Sequence, residues 1–248
     1  MANLLVDIGN TDTCAAISER GVIKQHVRAI TDCDAKSFLE GAPAFECDAA
    51  IISCVVPDKD KEWKGAINNA CGVEPLFCTY DLAKPYLKFL VDDPSIVGSD
   101  RIADCVAAIE LYGEPIIVVD FGTATNIEFV NSKREFCGGI LMPGVFSGMK
   151  GLSYSAAKLS DVRLEKPIDL LGETTEEAIQ SGLIYGEAAR VDGLIKRIKE
   201  KYKNEEGDIK VVATGGFLNL VANECNSIDF TDSTLTLKGL EIILNSSI

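Results

Sequence analysis

The sequence has little histidine and no closely spaced cysteine pair. A single histidine, His26, accompanies nine cysteines, and no two cysteines are separated by two residues. Zinc sites use cysteine and histidine ligands at short spacings, so we expect none, and His26 is interpreted as a surface residue on a strand. Because the cysteine count is odd and several lie inside apolar runs, we expect reduced thiols rather than a disulfide framework.

Basic residues and long apolar runs are also scarce. The chain has 24 Lys and Arg against 38 Asp and Glu, a formal net charge of −14. That charge disfavours nucleic acids and anionic membranes, which are bound through Lys and Arg. No apolar run approaches the ~20 residues of a membrane span, and the strand-like start Asn3–Asp7 has no signal-peptide pattern. We therefore expect a cytoplasmic protein without nucleic-acid or membrane partners.

One short pattern occurs twice. Ile116–Asn126 reads IIVVDFGTATN and Leu4–Thr13 reads LLVDIGNTDT, so an apolar run leads to an acid, one residue, a glycine and small polar residues. Short continuous apolar runs fit strands that are buried on both faces. Glycine then permits a tight turn. Each segment alone is also compatible with an ordinary turn, but the repetition favours a functional role. We call each strand end, with its acid and the turn that follows, a corner.

The pattern of elements repeats around these corners. We expect two α/β halves, 1–113 and 114–248, each opening with three antiparallel strands and with a cleft between the copies. The 248 residues suffice for two such domains. The predicted helices are Asp34–Leu39, Asp58–Cys71, Ile102–Tyr112, Val145–Ala157, Thr174–Tyr185, Val191–Lys203, one from Phe217, and Leu235–Ile243.

The corners have the chemistry of a phosphate site. Turn N–H groups can hold a phosphate chain, and the twin acids Asp7 and Asp120 can serve the metal ions that neutralise it. Asn10, Thr11 and Thr13 can donate hydrogen bonds to phosphate oxygens. Thr214–Gly216 offers bare backbone against which an adenine or a ribose could lie.

A third acid, Asp100, lies beside Arg101. A phosphoryl acceptor needs a base within hydrogen-bond reach, and a substrate carboxylate is matched by an arginine fork. An alternative is that Asp100 only caps the helix that follows, although that does not account for Arg101. Since phosphoryl transfer depends mainly on positioning and charge neutralisation, these groups are sufficient for it.

The chain resembles the type III pantothenate kinases. The resemblance extends over nearly the whole chain, in order. It is carried by DIGNT at Asp7–Thr11, SCVVP at Ser53–Pro57, GSDR at Gly98–Arg101, DFGTAT at Asp120–Thr125, GGILMPG at Gly138–Gly144, TEEAIQSG at Thr175–Gly182 and TGG at Thr214–Gly216.

The resemblance implies a fold and a set of roles. The fold is the duplicated ribonuclease H-like type of actin and hexokinase, with mixed five-stranded sheets flanked by helices. The activity is ATP-dependent phosphorylation of pantothenate, the first step towards coenzyme A. Asp100 is the proton acceptor, and Asp120 binds a monovalent cation, K⁺ or NH₄⁺, besides the Mg²⁺ that accompanies ATP. The expected ATP contacts are Asp7, Gly9, Asn10, Thr11, Asp12, Thr13, Cys14, Thr123, Gly215 and Gly216. The expected pantothenate contacts are Gly98, Ser99, Asp100, Arg101 and Thr175.

The resemblance also implies a homodimer in which the Thr175 segment reaches the neighbouring subunit's site. From spacing alone, an internal helix is an equal alternative. The chain departs from the family at Val91, where many members have tyrosine, and at Asn126, where a third threonine is usual. Two other functions stay open: a non-catalytic nucleotide-binding regulator, and a kinase for a sugar, acetate or another small substrate.

Overall fold

The computed structural model describes residues 2–41, 47–155 and 162–248. The chain divides into two compact units. The first comprises Met1–Gly113, Arg134–Phe136 and Thr234–Ile248, and the second comprises Glu114–Lys133 and Cys137–Ser233. These units differ from the halves 1–113 and 114–248 at two places, because residues 134–136 and 234–248 belong to the first unit.

Strands and helices alternate along much of the chain. The strands are β1 (Ala2–Ile8), β2 (Asp12–Glu19), β3 (Val22–Ile30), β4 (Ala49–Cys54), β5 (Leu76–Phe77), β6 (Lys88–Phe89), β7 (Ile116–Phe121), β8 (Ala124–Val130), β9 (Glu135–Pro143), β10 (Lys210–Thr214) and β11 (Phe230–Thr231). The helices are α1 (Ala35–Gly41), α2 (Asp60–Cys71), α3 (Tyr80–Ala83), α4 (Ser99–Tyr112), α5 (Val145–Ser155), α6 (Thr175–Glu206), α7 (Leu218–Val221) and α8 (Leu235–Asn245). Single 3₁₀ turns occur at Pro57–Lys59, Pro94–Ile96 and Ala222–Glu224.

The first unit is built on a mixed five-stranded sheet, as expected. Its strand order is β3-β2-β1-β4-β5. β1 runs antiparallel to β2 and parallel to β4. Successive side chains point to opposite sides of the sheet, and both faces are buried because helices pack on each of them. Leu4 and Val6 pack with Trp63 of α2, whereas Leu5 packs with Val106 of α4 and Leu240 of α8.

The second unit has the same opening. Its strands belong to a sheet of six strands rather than the expected five, in the order β11-β10-β7-β8-β9-β6, with β7 antiparallel to β8 and parallel to β10. Val119 and Phe129 of this sheet pack with Val191 and Ile195 of α6. β6 pairs in parallel with Glu135 and Phe136, which belong to the first unit.

Several elements differ from the sequence prediction. The two helices Thr174–Tyr185 and Val191–Lys203 are wrong as separate elements, because α6 runs unbroken from Thr175 to Glu206. The intervening segment contains Gly186 but no proline, and a helical glycine costs only about 1 kcal/mol. β11 was not predicted. Residues 156 and 157 of the helix expected at Val145–Ala157 lie outside the described residues.

Within the described ranges, none of the helices combines the length and the apolar character that a bilayer crossing requires.

Candidate active site

The first repeated corner is a hairpin whose turn is fixed by hydrogen bonds. The Gly9 N–H donates to the Asp12 carbonyl at 3.0 Å. Thr31, which follows β3, donates its hydroxyl to the Gly9 carbonyl at 2.7 Å and its N–H to the Thr11 carbonyl at 2.9 Å. A Cβ on Gly9 would lie 3.0 Å from the Asp12 carbonyl oxygen. The turn therefore has a defined shape, with Asn10 exposed at its tip.

Asp7 lies in a row of three side chains at the end of the first sheet. It pairs with Cys14 of β2 on one side and with Ser53 of β4 on the other. Its Oδ1 is buried and accepts no hydrogen bond from the described residues. Burial raises the pKa of the Asp7 carboxyl from 3.8 to about 7, and the charge of Asp100 adds to the rise, while Ser53 and Arg28 oppose it. A buried carboxylate oxygen without a donor is suited to a cation.

The start of α4 is attached to the end of β4. The Ser99 Oγ lies 3.0 Å from the Ser53 Oγ, and it accepts the Cys54 N–H at 3.0 Å. These two contacts bring the first turn of α4 to the edge where Asp7 lies.

Asp100 occupies that first turn. The residue at the N-cap position is Gly98, so the interpretation of Asp100 as the helix cap is wrong. The Asp100 Oδ1 accepts the Arg101 N–H at 2.8 Å. A Cβ on Gly98 would lie 2.5 Å from this oxygen. Glycine at position 98 thus leaves the room that the Asp100 carboxylate occupies.

Electrostatics couples Asp100 to Asp7. Burial raises the pKa of Asp100, whereas the Arg101 N–H and the Arg101 guanidinium lower it. The Arg101 guanidinium carbon lies 5.9 Å from the centre of the Phe136 ring, a cation–π distance. Two acids with raised pKa values at one edge favour a bound proton or cation there.

The second corner repeats the first with a shorter turn. The Gly122 N–H donates to the Ala124 carbonyl at 3.0 Å. The Thr123 carbonyl accepts the Gly144 N–H at 3.2 Å and the Ser147 hydroxyl at 2.6 Å. A Cβ on Gly144 would lie 2.5 Å from the Gly122 carbonyl oxygen. The backbone of Thr123 is therefore fixed, and its side chain stays half-exposed at the turn.

Asp120 lies in a row that matches the row of Asp7. It pairs with Asn126 of β8 and with Thr214 of β10, both of them buried. Gly215 has φ +107°, and a Cβ there would lie 2.3 Å from the Asp120 Oδ1. The carboxylate therefore lies against bare backbone, which only glycine permits at this φ. Gly216 follows and is exposed.

Thr175 is exposed and is the first residue of α6. A capping box precedes the helix: the Thr174 hydroxyl accepts the Glu177 N–H at 3.2 Å, and the Glu177 carboxylate accepts the Thr174 N–H at 3.0 Å. The segment before the helix folds back on it. A Cβ on Gly172 would lie 2.3 Å from the backbone nitrogen of Ala178.

Sequence reasoning did not identify Thr31, Ser99 in its contact with Ser53, or Thr214 as the neighbour of Asp120. These contacts join residues 22, 46 and 94 positions apart. They depend on strand order, so no local pattern in the sequence could have indicated them.

Comparison with solved structures defines the class of fold. A protein of Campylobacter jejuni described as a Baf family transcriptional activator aligns with a TM-score of 0.62 at 22% identity, over 98% of both chains. Component A of the (R)-2-hydroxyglutaryl-CoA dehydratase of Acidaminococcus fermentans aligns with a TM-score of 0.57 at 12% identity, over 100% of this chain and 98% of the other. This chain shares its fold with both proteins.

Comparison of sequences identifies the family. Residues 3–197 match the family model of type III pantothenate kinase. A type III pantothenate kinase of Halalkalibacterium halodurans is 36% identical over 256 aligned residues, which cover 99% of each chain. The chain belongs to the type III pantothenate kinase family.

Both corners fit the cations of a kinase. The Asp7 Oδ1 and the Asn126 Oδ1 are buried and have no hydrogen-bond partner among the described residues. The first of these is a carboxylate oxygen, and the second belongs to the cross-strand partner of Asp120. Hard cations take such oxygen ligands.

Proposed function

We propose that this chain transfers the γ-phosphoryl group of ATP to the hydroxyl group of pantothenate and so forms 4′-phosphopantothenate, the first step of coenzyme A synthesis. The observation that carries the proposal is Asp100, a carboxylate with a raised pKa beside Arg101 at the start of α4. A base whose pKa approaches the working pH removes a hydroxyl proton more effectively.

Asp100 is the general base of the proposed reaction. Its Oδ1 accepts the Arg101 N–H, which leaves Oδ2 to receive the proton as the hydroxyl oxygen attacks the phosphorus in line. Gly98, Ser99 and Arg101 position the substrate, with the Arg101 guanidinium as partner of the pantothenate carboxylate. Thr175 completes the pantothenate contacts.

The two turns hold ATP. The turn Gly9–Thr11, with Asp7, Asp12, Thr13 and Cys14 around it, contacts the phosphates, as does Thr123 in the second turn. Fixed turns are suited to this role, because their N–H groups need no reorganisation when the phosphates bind. Gly215 and Gly216 provide the bare backbone against which the adenine or the ribose lies.

Two kinds of cation accompany the reaction. Asp7 is the carboxylate that serves Mg²⁺, and Asp120 is the carboxylate that holds a monovalent cation, K⁺ or NH₄⁺. When bound, these ions neutralise the phosphate charge. A chain with a net charge of −14 has particular need of them when it takes up a polyphosphate.

The functional assembly is a homodimer in the cytoplasm. Thr175 is exposed, and the segment before it carries Ile168 and Leu171, which are 97% and 82% exposed. Exposed apolar side chains of this size mark interaction surfaces when they cluster. A second copy that covers them would bring Thr175 to its neighbour's site. Nucleic acids and membranes are not partners of this acidic chain.

The decisive experiment is a coupled ADP-release assay with pantothenate, a panel of sugars and acetate, each with and without K⁺. Of the acceptors in the panel, we expect only pantothenate to be phosphorylated. We expect its rate to be higher in K⁺ than in a bulky organic cation. Turnover with a sugar or acetate would reassign the substrate. Nucleotide binding without turnover of any acceptor would identify a regulatory protein instead.

A further inference from the structure

Asn126 has a buried polar atom without a partner. The residue is 6% exposed, and its Oδ1 is buried and accepts no hydrogen bond from the described residues. Leaving such a group unpaired costs about 1–3 kcal/mol. An orphan of this kind calls for an explanation such as a bound water or ion.

The position of Asn126 favours an ion. Asn126 is the cross-strand partner of Asp120 in the β7–β8 ladder, so the two side chains are on the same face of the sheet. On the other side of Asp120, Thr214 holds the equivalent position on β10. A carboxylate therefore lies between an amide and a hydroxyl, in a row across three strands.

The surroundings restrict this row further. Thr214 is 2% exposed. The backbone of Gly215 closes against the Asp120 carboxylate, where a Cβ would lie 2.3 Å from Oδ1. The row is thus a small group of oxygen atoms, one carboxylate among them, held against rigid backbone.

We propose that the Asn126 Oδ1 is a ligand of the monovalent cation held by Asp120, and that Asn126 thereby sets which monovalent cation this chain prefers. The inference rests on the cation assigned to Asp120 above. Potassium is bound in proteins by uncharged carbonyl oxygens that replace its hydration shell, and an amide oxygen is of that type.

The first corner shows why the amide matters. There the position of Asn126 is taken by Cys14, opposite Asp7. A thiol is a weak hydrogen-bond acceptor and a soft ligand, so the Asp7 row has the Ser53 hydroxyl but no amide oxygen. The two rows are alike in geometry but differ in chemistry, which assigns the monovalent cation to the second corner.

Thermal unfolding without ATP or pantothenate tests the proposal. KCl is titrated against tetramethylammonium chloride at constant ionic strength, with the wild type, Asn126→Ala and Asn131→Ala. Asn131 is the matched control, a buried asparagine just beyond the far end of β8. We expect K⁺ to raise the Tm of the wild type and of Asn131→Ala. Asn126→Ala should need at least about 10-fold more K⁺ for the same effect. Equal K⁺ dependence in Asn126→Ala and the wild type would overturn the proposal.

A second variant keeps the test open if Asn126→Ala does not fold. Asn126→Thr introduces the residue usual in the family, and it should change the order in which K⁺, NH₄⁺ and Rb⁺ raise the Tm. An unchanged order at unchanged concentrations would count against a selectivity role.

Anomalous scattering from crystals grown in Rb⁺ gives a direct readout. We expect a peak in contact with both Asp120 and the Asn126 Oδ1 in the wild type. Density for water only at Asn126, with Rb⁺ elsewhere, would refute the assignment. Because no substrate is present, these measurements are independent of the pantothenate assay: a failed substrate assignment leaves the cation response intact, and a failed cation assignment leaves turnover intact.

Discussion

At the scale of the residue, a substitution of Asp100 can test its catalytic role without disturbing the helix in whose first turn it lies. We expect Asp100→Asn to keep the fold and ATP binding but to lose turnover by about 10²–10⁴-fold, the usual contribution of a general base. Asparagine keeps an oxygen that can accept the Arg101 N–H, but it cannot take up the proton of the substrate hydroxyl. Steady-state kinetics together with an ATP-binding titration measures both effects.

The matched comparison for this variant is Gly98→Ala. Its Cβ would lie 2.5 Å from the Asp100 Oδ1, so the carboxylate must move while its chemistry is unchanged. We expect a smaller loss of turnover than in Asp100→Asn and little change in Tm. Wild-type turnover in Asp100→Asn would rule out the base assignment.

Asp7 should make the stability of the metal-free protein depend on pH. Burial holds its pKa at about 7 in the folded state, above the ordinary 3.8. The folded state therefore binds the proton more tightly than the unfolded state. The resulting stabilisation is complete below pH ~4 and is lost as the pH rises through about 7, with an upper limit of about 4 kcal/mol.

Urea unfolding in EDTA between pH 4 and 8 tests this dependence. We expect the wild type to lose stability across this range and Asp7→Asn to lose clearly less, because the variant has no carboxyl to titrate at that position. Parallel curves for the two proteins would show that Asp7 does not titrate as described.

At the scale of the element, the sequence predicted what is local. The corners at Gly9 and Gly122 could be recognised because strand, acid, glycine and small polar residues are consecutive. The rows beside them could not be recognised, because Ser53 and Thr214 come from strands that become neighbours only in the folded sheet. The unbroken course of α6 was not predicted either, although Val191 and Ile195 in its second half pack into the core of the second unit.

The contact of α4 with α8 shows a further limit of sequence reasoning. Gly239 of α8 has no special pattern around it, yet a Cβ there would lie 1.9 Å from the Ala103 carbonyl oxygen of α4. The atoms it would meet belong to the backbone of α4 and cannot turn aside, so the helices would have to separate. We expect Gly239→Ala to lower the free energy of unfolding by about 1–3 kcal/mol, measured in urea.

The control for Gly239 is Gly193→Ala in α6. No atom lies within 4 Å of the Cβ position of Gly193, so this change should stabilise the protein by up to about 1 kcal/mol through helix propensity. If both alanine variants were stabilised, close contact between α4 and α8 would not be the reason for glycine at position 239.

At the scale of the whole molecule, the proposed dimer makes activity depend on assembly. Asp100→Asn and Thr175→Ala each disable a site, but in a mixed dimer one site receives Asp100 and Thr175 intact from different subunits. We expect the mixture of the two inactive proteins to recover activity, and the specific activity of the wild type to fall on dilution below the dissociation constant.

Two controls belong to this experiment. Thr175→Ala must be strongly impaired when it is assayed alone. Thr174→Ala removes only the helix cap, so it should lose about 0.5–2 kcal/mol of stability but should stay active without a partner variant. A fully active monomer in sedimentation would refute the dimer, and a mixture without recovery would refute the shared site.

The membership of α8 in the first unit has a consequence for synthesis of the chain. Residues up to Gly113 emerge from the ribosome first, but their sheet lacks one of its covering helices until residues 235–245 follow. At about 5–20 residues per second, the intervening ~120 residues take about 6–24 s. Throughout that time the apolar side chains that α8 later covers, Leu5 and Val106 among them, are open to chaperones. The second unit, by contrast, has all of its own residues by Ser233.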